Sequence, residues 1–132
     1  MKIGLTASAF DLLHAGHVLM LEECKQHCDY LIACLQTNPS LDRPEKNKPV
    51  QTVFERYTQL RAVKWVDEII PYETESELVD ILKARAPDIR FVGEEYRDKD
   101  FTGKEIGDIQ IFYNSRRHRF SSSELRKRMK EN

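Results

Sequence analysis

The sequence predicts an α/β fold in which a five-stranded parallel sheet is flanked by helices. Three observations carry this expectation. Short β-rich runs alternate with longer segments of helical periodicity along the 132 residues, the pattern of βαβ units with parallel strands. One run, "DYLIACLQ" (29–36), is apolar almost throughout, as a strand covered on both faces must be. The length suits one domain with a core of its own.

The elements follow in order. "KIGLTA" (2–7) reads as the first strand. A helix over 16–27 would place His17, Leu21, Cys24 and Cys28 on one face. The strand at 29–36 gives way to a polar loop, 37–49, broken by three prolines. A connection of that length in a compact domain is expected to be functional or mobile. Thr52 opens a helix over 52–64, with Glu55 completing a capping-box pattern. "DEIIPY" (67–72) holds a short third strand, and a helix over 75–86 stops before Pro87. "DIRFVG" (88–93) is the fourth strand, followed by a second polar loop at 94–107. "DIQIFYN" (108–114) is the fifth, and a basic loop leads to a last helix from about Ser121. No internal repeat or low-complexity tract interrupts this order. The expectation is a single Rossmann-like domain over residues 1–132. In such open sheets ligands bind beyond the carboxyl ends of the strands, where strand order reverses. The segments after strands one, two, four and five all fall on that edge.

Composition narrows the function classes. With 40% hydrophobic and 33% charged residues the chain reads as soluble and globular. The net charge of −1 supplies no global field toward nucleic acid or membrane. No apolar stretch approaches the ~18 residues of a membrane span. The chain runs straight into a strand, so no signal peptide is expected. Cys24, Cys28 and Cys34 are odd in number and form no C-x-x-C. They read as buried thiols in a reducing cytoplasm.

Four segments carry candidate chemistry. In "TASAFDLLHAGH" (6–17), His14 and His17 flank only Ala15 and Gly16. If the first strand ends near Thr6 or Ala7, the segment crosses the sheet edge and His17 starts a helix. A helix N-terminus presents unpaired N–H groups that favour an anion. Gly16 would let the backbone approach it closely, and imidazoles can donate to phosphate oxygens. A metal site would need more ligands, and neither His27 nor His118 lies in a ligand-spaced motif. Incidental histidines are the third reading. In "NSRRHRFSSSELRKRM" (114–129), Ser121 and Glu124 form S-x-x-E behind Arg116, Arg117 and Arg119. That is either a plain cap with solvated arginines or a polyphosphate cradle. No aromatic interleaving beyond Phe120 supports single-strand nucleic acid binding. Lys46 and Lys48 sit in the first polar loop, as solvated charges or as a loop that closes over phosphates. Gly93, with Glu94 and Glu95 behind it, follows the fourth strand. A carboxylate there could accept from ribose hydroxyls, help hold a metal, or simply belong to a polar loop.

Together "HAGH" (14–17) and "RRHRFSS" (116–122) resemble the H-x-G-H and R-x-x-x-x-S-[ST] motifs of the nucleotidyltransferase superfamily. "FDLLHAGH", "VDEIIP" and "FSSSELRKR" look most like the small cytidylyltransferases, above all the glycerol-3-phosphate cytidylyltransferases. The resemblance covers nearly the whole chain. It implies transfer of CMP from CTP to a small phosphomonoester such as glycerol 3-phosphate, giving a CDP-alcohol and pyrophosphate. It implies His14, His17, Lys48 and Arg116 as catalytic residues, and Mg2+ accompanying the triphosphate. Around the nucleotide it implies Ala9, Phe10, Ala15 and Gly16 from the first loop and Gly93 and Glu95 after the fourth strand. From the C-terminal motif it adds Arg117, Phe120, Ser121, Ser122 and Ser123. Lys46 and Asp11 would serve the substrate, Asp11 by orienting it or the magnesium. The family tends to be homodimeric. The departures lie mostly at the acceptor end. A family tryptophan and lysine are Glu75 and Leu78 here, the aspartate after strand two is Asn38, and the arginine before "VDE" is Lys64. In the usual G-T-F-D start, Ala9 replaces a hydroxyl. Phosphocholine, phosphoethanolamine or a polyol or sugar phosphate therefore remain as acceptors, and ATP remains as the alternative donor.

Overall fold

A computed structural model of the protein describes residues 1–115 and 122–131. The strands are β1 (Ile3–Ser8), β2 (Tyr30–Gln36), β3 (Glu68–Tyr72), β4 (Ile89–Gly93) and β5 (Gln110–Asn114). The helices are α1 (Ala15–Gln26), α2 (Val53–Arg61), α3 (Glu75–Arg85) and α4 (Ser122–Glu131). The strands form one parallel sheet in the order β3-β2-β1-β4-β5. The α/β expectation holds, and each predicted strand is present within one or two residues of its expected bounds.

Strand order explains where a site must form. The chain steps outward from β1 to β2 and β3, then crosses back to place β4 on the other side of β1. The crossovers leaving β1 and β4 diverge to opposite sides, opening a crevice between the carboxyl ends of these two strands. On one face Leu31, Ala33 and Leu35 of β2 pack with Leu21 and Cys24 of α1 and Leu60 of α2. On the other, Leu5, Ile32 and Cys34 pack under Leu78 and Leu82 of α3. No α-helix joins β4 to β5, only a single 3-10 turn at Glu94–Tyr96. The connection over 94–109 does that work, and its Ile106 and Ile109 complete the α3-face core.

Several boundaries differ from the sequence expectation, each for a local reason. α1 begins at Ala15, not at His17, because His14 is its N-cap. α2 ends at Arg61, not at residue 64. The chain then makes tight turns, with Val63 N–H on the Leu60 carbonyl at 3.1 Å and Val66 N–H on the Val63 carbonyl at 3.2 Å. Val63, Trp65 and Val66 extend the apolar pattern, but they reach the core through these turns. α3 ends at Arg85, not at residue 86: Ala86 is its C-cap, in the left-handed region at φ 43°, and Pro87 cannot continue the helix. Pro71 sits in β3, which as an edge strand tolerates a residue without an N–H. Among the described residues no helix is long and apolar enough to cross a membrane.

Candidate functional site

The histidine spacing is explained by hydrogen bonding at the start of α1. His14 Nδ1 accepts the Gly16 N–H at 3.0 Å, and the His14 N–H donates to His17 Nδ1 at 3.3 Å. The two rings stack with centroids 4.0 Å apart. Each imidazole thus satisfies a helix-end group through Nδ1. An Nδ1 that accepts carries no proton, so in the neutral ring Nε2 bears the hydrogen and becomes the donor. The same contacts that cap the helix set both tautomers, at the helix end whose dipole favours an anion.

The loop leading to this pair is held in an unusual shape. Phe10 and Leu12 both adopt positive φ, 50° and 52°. Phe10 drops its ring into the core, 1% exposed, with its centroid 5.7 Å from that of His17. The nucleotide contact expected of Phe10 therefore does not come from an exposed ring. Arg56 of α2 clamps the same loop from below. It is 2% exposed, and its guanidinium donates to the carbonyls of Ala9 (2.9 Å), Gln36 (2.7 Å), Thr37 (2.5 Å) and Gln51 (3.1 Å). Asp11 accepts the Val50 and Gln51 N–H groups at 2.8 and 2.9 Å and pairs with Arg126 of α4 at 3.0 Å. Its carboxylate pins the loop to the segment before α2 and to α4, and it does not line the cleft described next. The Asp11–Arg126 pair brings the C-terminal helix against the histidine loop.

A cleft of about 830 Å³ crosses the carboxyl edge of the sheet. On the α1 face it is walled by Ala9, His14, Gly16 and His17. Gly93 and Glu95 line it after β4. A Cβ at Gly93 would collide with the Glu95 carboxylate, so glycine lets that side chain fold back against the strand end. Lys46 reaches the wall from the first polar loop. Lys48 is exposed on the same loop and Ala15 is exposed on α1, and neither lines the cleft. Arg116, Arg117, Phe120 and Ser121 lie outside the described residues. Ser122 and Ser123 open α4, and nothing is described of their side chains. Glu75 and Leu78, where the sequence departs from the pattern it resembles, both line the cleft.

Sequence reasoning missed two cations at the α3 end of this cleft. Arg43 pairs with Glu75 at 2.8 Å and reaches Gln36 Oε1 at 3.4 Å. Arg90 points from mid-β4 toward the α3 face, 6% exposed, with Nη1 on the Thr102 carbonyl at 2.7 Å. Burial presses the Arg90 guanidinium below its ordinary range and pushes the neighbouring Tyr72 hydroxyl well above its own. The signal was present: an arginine inside the apolar run "DIRFVG" is costly unless something uses it. Among the described residues no group of three or more His, Cys, Asp or Glu side chains could hold a metal ion.

Comparison with known proteins agrees with this architecture. A family model described as cytidylyltransferase-like matches residues 5–128. A bifunctional protein HldE of Granulibacter bethesdensis is 32% identical over 107 residues, 80% of this chain and 22% of that protein. A bifunctional protein HldE of Campylobacter jejuni is 35% identical over 108 residues, 80% of this chain and 23% of that protein. The chain thus spans less than a quarter of the length of the curated relatives it matches. Among solved structures, a lipopolysaccharide core biosynthesis protein from Thermoplasma volcanium superposes with a TM-score of 0.71. It shares 24% identity, over 87% of this chain and 97% of that one. Pantothenate synthetase from Thermus thermophilus gives a TM-score of 0.59 at 13% identity, over 97% of this chain and 64% of that one. At these identities the two structures share the fold.

Proposed function

This chain belongs to the cytidylyltransferase-like family of nucleotidyltransferases, and from that premise we propose that it moves a nucleoside monophosphate from a nucleoside triphosphate to a small phosphorylated sugar or polyol. A phosphate oxygen of the acceptor attacks the α-phosphorus in line, the bond to the bridging oxygen breaks, and pyrophosphate leaves. No general base is needed, because a phosphomonoester with a second pKa of about 6 is already largely dianionic at neutral pH. Catalysis then consists of positioning and of absorbing charge at the α-phosphate.

The observation that carries this reading is the histidine pair at the N-terminus of α1, with Nδ1 of each ring engaged by the helix end. In the tautomer that this sets, the Nε2–H of each ring is the donor, at a helix end whose dipole favours an anion. Lys46, on the cleft wall, would balance charge where the phosphates meet. Lys48 would join it as the exposed loop closes over them. Arg116, Ser121 and Ser122 are assigned to the β- and γ-phosphates by resemblance. The Asp11–Arg126 pair supports that assignment by holding α4, which follows Arg116 and Ser121 in the sequence and opens at Ser122, against the histidine loop. Magnesium would enter on the oxygens of the triphosphate, and no step here is routed through it. A homodimer is the expected assembly.

As donor we favour ATP over CTP. The relatives cited are HldE proteins, and none of them is named for CTP or glycerol phosphate. Glycerol 3-phosphate also loses ground as acceptor. Leu78 is apolar and 2% exposed, and Glu75 is committed to Arg43. Neither offers the cation that the resembling enzymes carry there. The test is pyrophosphate release with each nucleotide against a set of phosphorylated sugars, polyols and alcohols. Turnover is expected with ATP and a sugar or polyol phosphate. Turnover with CTP and glycerol 3-phosphate alone would restore the cytidylyl reading.

A further inference from the structure

The α3 end of the cleft holds more positive charge than the structure neutralises. Arg90 is 6% exposed, and among the described residues no carboxylate lies within ion-pair distance of it. Its partners are one carbonyl, Thr102 at 2.7 Å, and the face of Phe101 at 5.5 Å. Its Nε is buried and has no hydrogen-bond partner, and the same is true of Arg43 Nε. Gly103, at φ +85°, brings the polar loop so close that a Cβ there would sit 3.1 Å from Arg90 Nη1. A buried guanidinium cannot shed its proton to escape this cost, and an isolated buried charge is expensive. The sequence keeps it where it lines a ligand cleft.

We infer that Arg90, with Arg43 beside it, anchors a carboxylate carried by the acceptor at the end remote from its reacting phosphate. This rests on the nucleotidyltransferase reading and specifies its substrate class as phosphorylated sugar acids or hydroxy acids. Charge balance selects a carboxylate. Arg43 is offset by Glu75 at 2.8 Å, and Asp100 on the cleft wall faces Lys104 at 3.7 Å. One uncompensated cation therefore remains at Arg90, and it matches a monoanion. A second phosphate dianion would leave excess negative charge against Glu75. The guanidinium plane also suits the planar carboxylate.

Two matched pairs of probes test this by calorimetry on the full chain: 3-phosphoglycerate against glycerol 3-phosphate, and 6-phosphogluconate against glucitol 6-phosphate. Within a pair only a carboxylate and a hydroxymethyl group differ. At least one acid is expected to bind about tenfold or more tighter than its alcohol, the scale of a charged hydrogen bond. In Arg90→Met that ratio should collapse toward one while the thermal midpoint holds or rises, since an apolar side chain replaces a buried unpaired charge. Arg90→Lys should retain part of the preference. Equal affinities in both pairs, no binding of either acid, or a preference that survives Arg90→Met would each overturn the inference. ATP binding to the same samples reports separately on the transfer reading. Bound ATP without acid preference removes only this subsite, whereas absence of both ATP and CTP binding removes the nucleotidyltransferase reading itself.

Discussion

His14 uses one ring for two purposes, and the two can be separated. Its Nδ1 caps α1 through the Gly16 N–H, while Nε2–H is the donor we propose for the α-phosphate. His14→Ala removes both functions. Stability should fall by about 1 kcal/mol from the lost cap, and turnover by roughly 10²–10³ from the lost transition-state donor. His14→Asn keeps an acceptor of the kind preferred at N-caps but has no second nitrogen at that reach. Its melting temperature should stay near that of the parent while pyrophosphate release drops as far as in His14→Ala. A His14→Asn protein that turns over normally would show that the ring only caps. The thiols give a second prediction at this scale. Cys24 and Cys34 are fully buried, whereas Cys28 is half-buried. Burial pushes the Cys34 thiol up to about 12 and the Cys24 thiol higher still. Alkylation of the folded protein at pH 8 should mark Cys28 first, and peptide mass spectrometry would reveal any other order.

Between elements, one side chain does most of the joining. The Arg56 guanidinium on α2 gathers carbonyls from the β1–α1 loop, the end of β2 and the residue before its own helix. In Arg56→Leu these carbonyls lose their donor, at about 1–3 kcal/mol for each group left buried and unpaired. A loss of several kcal/mol in denaturant unfolding is expected. Turnover should fall as well, because the Ala9 backbone borders the histidines. A variant of near-parental stability would mean that water replaces the guanidinium. At the end of α3 the opposite change helps. Ala86 carries a left-handed conformation that glycine adopts without strain. Ala86→Gly should stabilise the protein by about 0.5–1 kcal/mol, raising the thermal midpoint by a few degrees.

For the whole molecule, the buried thiols set an alkaline limit. The ordinary thiol value is 9.0, and those of folded Cys24 and Cys34 lie well above it. The stability these thiols contribute is complete below pH 9. Above it the unfolded chain gives up protons that the folded chain retains, so unfolding becomes easier as pH rises toward 12. The slope is up to about 1.4 kcal/mol per thiol per pH unit. Cys34→Val should flatten the decline in unfolding free energy between pH 9 and 10.5, and an unchanged slope would place the titration elsewhere. On composition, periodicity and turn residues alone, the five strands and the alternation of helices were legible, because a strand buried on both faces and a capped helix leave local patterns. The H-x-G-H loop was legible for the same reason. What stayed hidden depends on which segments the crossover brings together. Spacing alone does not show that the loop folds Phe10 into the core or ties Asp11 to Val50, Gln51 and Arg126. Arg43 and Arg90 lie 47 positions apart and share a cleft only because β4 returns to the far side of β1. The class of fold and the place of the H-x-G-H loop at the start of α1 are written in near-neighbour spacing, so the chain of residues was enough to specify both. How each histidine holds its proton, and where an uncompensated buried charge waits for an acceptor, emerged only on folding. Tautomer and burial follow from distances in space, which spacing along the chain does not encode.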